Sequence, residues 1–140
     1  PRVKVWAFVL REVQEQPWLG SGFGRGLLRE DLQAKFGDNK LWHAHNLFLD
    51  TLLQLGIPGL LLFVLLVGAT LREGWRLARG ADPVARACGI ALVAVVAGMV
   101  MRNMTDTLLV RQNALLYWGA VGLLLGWGRC QALQGEQRSG

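Results

Sequence analysis

The chain has 140 residues, 52% of them hydrophobic and only 18% charged, with a mean hydropathy of +0.30. Its net charge of +5 does not mark a nucleic-acid binder, because no basic run is interleaved with aromatic residues. The apolar residues come in uncharged blocks, which favours membrane helices over the amphipathic helices of a soluble bundle, the alternative reading.

The first predicted element is an amphipathic helix. From Val3 to Gln16 the apolar residues Val5, Trp6, Val9 and Val13, widened by Phe8 and Leu10, share a face away from Lys4, Arg11, Glu12 and Glu15. Pro17 ends it. The run Pro17-Trp18-Leu19-Gly20-Ser21-Gly22-Phe23-Gly24-Arg25-Gly26 follows. It lacks the Gly-Lys-Ser/Thr ending of a phosphate loop and the Gly-x-Gly-x-x-Gly spacing of a dinucleotide site. Its glycines therefore read as a turn that needs positive φ or close backbone approach. Residues 27–42 form a polar connector with a Gly37-Asp38-Asn39 turn signal.

A helix is predicted from His45 to Leu55, with Leu49, Leu52 and Leu53 on one face. Gly56-Ile57-Pro58-Gly59 breaks it, and Pro58 suits the first position of the next helix. Three apolar blocks come next, at about 57–76, 85–104 and 108–128. Spanning a bilayer takes roughly 20 residues, so the second and third blocks borrow length from flanking residues such as Arg102, Trp118, Trp127 and Arg129, which can snorkel or sit at an interface. The spacings Ala87-x-x-x-Ala91, Ala94-x-x-x-Gly98 and Gly122-x-x-x-Gly126 are of the kind that lets helices approach closely in lipid.

Arg72, Arg76, Arg79 and Arg86 crowd the loop between the first two blocks, which places that loop in the cytoplasm under the positive-inside rule. The expected fold is thus all-α, a polytopic membrane protein fragment. Residues 1–55 form an extracytoplasmic segment of helices and loops, 56–128 hold three transmembrane helices, and 129–140 are a polar, disordered cytoplasmic tail. Upstream spans are expected to precede it. Cys88 and Cys130 fall near cytoplasmic helix ends, where thiols stay reduced.

Two constellations can carry chemistry. His43-Ala44-His45-Asn46 offers imidazoles at near-neutral pKa. A metal site is disfavoured because only Asp50 lies near enough to join them. A general base and a mere helix cap remain equally open. Arg102, Asp106 and Arg111 lie near the outer membrane boundary. Arg102 and Asp106 are spaced to pair on a helix, either as a structural ion pair or with an arginine left for an anionic lipid headgroup.

His45-Asn46, nine residues, then Gly56-Ile57-Pro58-Gly59 resembles the signature of the O-antigen ligase and polymerase superfamily. Arg2-x-x-x-Trp6 opening the first helix, the Pro17-to-Gly24 run, and the Arg102-to-Arg111 segment before a last helix resemble further parts of that family, up to about Leu133. In the family's Arg-x-x-x-Leu pattern, Trp6 stands here in the place of leucine. The resemblance implies a metal- and cofactor-independent glycosyltransferase of the bacterial inner membrane. Its partners would be an undecaprenyl-diphosphate-linked glycan, an acceptor such as lipid A core or another glycan, and membrane lipids. It implies that His45 assists the acceptor hydroxyl and that Arg2, Arg102 and Arg111 face the diphosphate, with Asn46, His43 and Asp106 in support. Polymerase and ligase share the signature, and a transporter-like protein is the rival outside enzymes.

Overall fold

The computed structural model describes residues 2–22, 46–104, 109 and 112–139. These residues form four helices and no strand: α1 (Arg2–Glu15), α2 (Leu47–Ala78), α3 (Pro83–Asn103) and α4 (Gln112–Ser139). The all-α expectation holds. The helices divide between two compact units, residues 1–64 with 102–107, and residues 65–101 with 108–140.

Helix α2 is two helical limbs joined at a break. Gly56 sits at φ 66°, ψ −169°, outside helical space, with Pro58 just beyond. The limb 57–78 is about 33 Å long at roughly 1.5 Å per residue, enough for a hydrocarbon core of about 30 Å. Both α2 and α3 are long and apolar enough to cross a membrane. Only 17% of the apolar window of α2 and 28% of that of α3 is buried within the protein. The core helix of a soluble bundle would bury most of such a window, so the soluble-bundle alternative loses its support. Leu61, Leu62, Leu65 and Leu66 instead present a continuous apolar surface.

The third expected span forms as α4 but falls outside the helices apolar enough to cross. Tyr117, Trp118, Trp127 and several glycines dilute its uncharged stretch. Residues 129–139, expected to be disordered, continue the same helix to Ser139. Arg129, Gln131, Ala132, Leu133 and Gln134 are all good helix formers, and no proline interrupts them.

In the second unit, Leu92, Val96 and Met99 recur at helical spacing as the buried stripe of α3, with Val67 and Leu77 of α2 and Val121 of α4 also buried. The close helix approach lies at Gly89. A Cβ there would meet the backbone of α2: the Ala78 nitrogen, the Gly74 carbonyl oxygen at 2.6 Å and the Leu77 carbonyl carbon at 2.8 Å. Gly128 of α4 likewise lies against Leu77 and Cys88. The predicted small-residue spacings are elsewhere: among the described residues, Gly98, Gly122 and Gly126 meet nothing within 4 Å. Asp82 caps α3, its Oδ1 accepting from the Val84 and Ala85 amides at 2.9 and 2.7 Å, and Pro83 opens the first turn.

Candidate active site

The break at Gly56 creates a backbone problem that the glycine-rich turn solves. In an unbroken helix the Leu53 carbonyl would accept from the Ile57 amide. The Gln54 carbonyl would look to residue 58, but Pro58 has no N–H. Here the Ile57 amide donates to the Pro17 carbonyl at 2.8 Å. The Leu53 carbonyl accepts from the Ser21 amide at 2.7 Å, and the Gln54 carbonyl from the Gly22 amide at 3.2 Å. Three of the groups released by the break, the Leu53 and Gln54 carbonyls and the Ile57 amide, thus find partners in residues 17–22, as buried backbone requires.

Only glycine permits so close a contact. Gly20 and Gly22 lie at φ 66° and 90°, where side chains are disfavoured. A Cβ on Gly20 would fall 2.6 Å from the Gln54 carbonyl, and one on Gly56 would fall 2.5 Å from the Trp18 carbonyl oxygen. The turn reading of Gly20 and Gly22 is therefore borne out, and its partner is the α2 break. Gly24 and Gly26, and the connector at 27–42, lie outside the described residues.

Asn46 starts α2. Its Oδ1 accepts from the Phe48 and Leu49 amides at 3.0 and 3.2 Å, an N-cap that satisfies two otherwise orphaned donors. Its Nδ2 donates to the Met104 carbonyl at 3.1 Å, just beyond the end of α3. The side chain is buried. The capping role considered for a histidine thus belongs to Asn46. One turn on, buried Asp50 places a carboxyl in the first turn of α2, where the helix dipole favours negative charge. Edge-to-face packing of Phe48 on Phe63, 5.8 Å between ring centres, ties the two limbs of α2 together.

Arg102 is exposed in the last turn of α3, a position the dipole favours for a cation, and stands two residues before the Met104 carbonyl held by Asn46. Arg2 opens α1. His45, His43, Asp106 and Arg111 lie outside the described residues. In sequence His45 immediately precedes Asn46, and Asp106 and Arg111 follow Met104. The structure thus brings together the flanks of the two constellations, through Asn46 and Met104. Among the described residues no group of three or more His, Cys, Asp or Glu could hold a metal ion.

Sequence reasoning passed over Asn103, which is fully buried beside Arg102. The available signal was a short polar residue directly after Arg102, at the end of the second apolar block. Asp50 was weighed only as a metal ligand. Its burial at a helix start gives it a structural role in ordering that end.

No curated protein matches the chain. A family model described as O-antigen ligase matches residues 1–64, which span α1, the glycine turn, Asn46 and the Gly56 break. That family points to O-antigen ligase- or polymerase-like function in a membrane, with a lipid-linked glycan and an acceptor as general partners. Through its first 64 residues the chain resembles the O-antigen ligase superfamily, the family indicated by the spacing from His45 to Gly59.

Proposed function

We propose that the chain is part of a bacterial inner-membrane glycosyltransferase. It moves a glycan from undecaprenyl diphosphate to an acceptor hydroxyl, such as one on lipid A core, without metal or cofactor. The observation that carries this reading is the Asn46–Met104 hydrogen bond. It joins the start of α2, next to His45, to the segment that begins at Arg102 and continues to Asp106 and Arg111. The bond thus joins Asn46, which follows the candidate base His45 in sequence, to Met104, which lies two residues beyond the candidate phosphate ligand Arg102.

In the reaction, the acceptor oxygen forms a bond to the anomeric carbon as the bond from that carbon to the diphosphate oxygen breaks. The electron pair leaves with the diphosphate, and His45 takes the acceptor proton. The diphosphate is already a good leaving group, so positioning and charge stabilisation dominate. The N-terminus of α2 is committed to the Asn46 cap and Asp50. Arg2, Arg102 and Arg111 therefore supply the positive charge, through bidentate contacts to phosphate oxygens, while His43 and Asp106 assist. Residues 1–55 face the periplasm, and the α2–α3 turn, with Arg72, Arg76, Arg79 and Arg86, faces the cytoplasm. The apolar stretch of α4 crosses back as the third span.

The test is His45→Ala in the full-length protein, assayed with an undecaprenyl-diphosphate glycan and candidate acceptors. Transfer should fall by roughly 10²–10⁴-fold, the scale of a lost general base, with membrane insertion unchanged. Near-normal transfer would sink the catalytic role of His45. Solute flux in vesicles without any transfer would replace the enzyme by a transporter.

A further inference from the structure

The turn that follows α1 spends its backbone on the break in α2 and leaves two large side chains outside the contact. Pro17 accepts from Ile57, while Ser21 and Gly22 donate to Leu53 and Gln54. The Gly20 amide closes the turn on itself, donating to the Gln16 carbonyl at 3.1 Å. Turn and helix approach so closely that a Cβ on Gly20 or Gly56 would strike opposing backbone, so no side chain fits between them. Trp18 and Leu19 stand outward, 68% and 86% exposed.

Turns that face water are built mostly from Gly, Pro, Asn, Asp and Ser. From Gln16 to Gly22 this one carries no charge, and a tryptophan and a leucine sit side by side among its exposed positions. A single exposed apolar residue needs no explanation. Two large ones together, held out on a turn whose backbone is pinned, make a surface suited to an apolar partner.

The hydrogen bonds also fix where along α2 this surface lies. Ser21 and Gly22 dock on the limb before the break, whereas Pro17 docks on Ile57, where the long apolar limb begins. The Trp18 carbonyl lies against Gly56, one residue earlier. Ile57, Leu61 and Leu62 are themselves exposed, so apolar surface starts at the level of the turn and continues along the limb. A limb of about 33 Å across a hydrocarbon core of about 30 Å puts Ile57 at the edge of that core. That boundary is where tryptophan, with an apolar ring and a polar N–H, is favoured. A bound sugar would explain an exposed tryptophan, but not the adjoining leucine or their level at the first residue of a span.

We propose that Trp18 and Leu19 dip into the bilayer at the leaflet where α2 enters, so that the turn anchors the α2 break to the lipid surface. This requires only that α2 spans a membrane. It depends neither on glycan transfer nor on which side the turn faces, so failure of the transferase reading leaves it standing. The experiment places a nitroxide on Leu19→Cys, and for comparison on Ser21→Cys, in the full-length protein with its native cysteines replaced by serine. Both positions are exposed, so neither label displaces packing. In liposomes of phosphatidylethanolamine and phosphatidylglycerol, power-saturation electron spin resonance should find the label at 19 more accessible to oxygen, which concentrates in lipid, than to a water-soluble nickel chelate. The label at 21 should be shifted toward the chelate. In parallel, the tryptophan emission lost in Trp18→Phe should be the part quenched by lipids brominated high on their acyl chains. A label at 19 reached mainly by the chelate puts the turn in water, free to meet a sugar. A label shielded from both reagents puts it under another protein segment. Either result, or emission from Trp18 that brominated lipids leave unquenched, overturns the proposal.

Discussion

The two compact units use glycine for opposite purposes. In the unit built on residues 1–64, Gly20 and Gly56 adopt positive φ so that a turn can press its backbone against a broken helix. Polar backbone groups meet there, and hydrogen bonds hold the contact. In the unit built on residues 65–101 and 108–140, Gly89 keeps its place in a regular helix and lets α3 lie on the backbone of α2. Apolar packing around Leu92 and Val96 holds that contact. The first device fixes where a helix bends and starts, which is what a site needs. The second only brings helices close. A glycine's meaning thus lies in what a Cβ would strike, and in whether its φ would accept one.

The largest effect expected from this contrast is at Gly56. Alanine there meets left-handed strain of roughly 1–2 kcal/mol and a backbone clash on the scale of overpacking, about 1–3 kcal/mol. Gly56→Ala, and Gly20→Ala for the same reason, should destabilise the first unit by about 2–5 kcal/mol, read as a lowered denaturation temperature in detergent, and should suppress transfer. Gly22→Ala is the control: φ is 90° but none of the described residues lies within 4 Å, so the strain is the main expected cost. If all three alanines cost the same, the docking of the turn on the break contributes nothing.

Next in size is Asn46→Ala. It removes an N-cap worth about 1 kcal/mol and the hydrogen bond to the Met104 carbonyl, worth about 0.5–1.5 kcal/mol. Asn46→Asp keeps the cap oxygen but turns the Met104 donor into an acceptor. The prediction is that Asp restores thermal stability partly while transfer stays low, since the link to the Arg102 segment is still cut. Full recovery of transfer with Asp would reduce Asn46 to a cap.

How far these features were legible differs by their physical origin. The Gly56-Ile57-Pro58 break was readable because proline removes a donor and glycine accepts positive φ, both local facts. That residues 17–22 are its partner was not, since a backbone-to-backbone contact leaves no side-chain pattern beyond the glycines. Among the site residues, Asn46 was legible as a neighbour of His45. Its bond to Met104, 58 positions away, was invisible to any local pattern. The polar composition of residues 129–139 suggested disorder, yet α4 continues through them, because a run of helix formers on an existing helix needs no new nucleation.

The smallest predicted effect has the opposite sign and sharpens the contrast within the second unit. Gly89 and Gly98 sit on the same helix, where about two and a half turns separate a crowded glycine from an open one. At Gly89 an added methyl meets the backbone around Gly74 and Ala78, which cannot rotate away as a side chain could. Gly89→Ala should therefore cost about 1–3 kcal/mol. At Gly98 none of the described residues lies within 4 Å, so alanine there only stiffens the unfolded chain and favours the helix, by roughly 0.5–1 kcal/mol. Thermal denaturation of the two variants in detergent should move in opposite directions. Should Gly98→Ala instead destabilise the full-length protein, its face of α3 is covered by another helix, and the Ala94-x-x-x-Gly98 spacing would recover the packing role its sequence suggested.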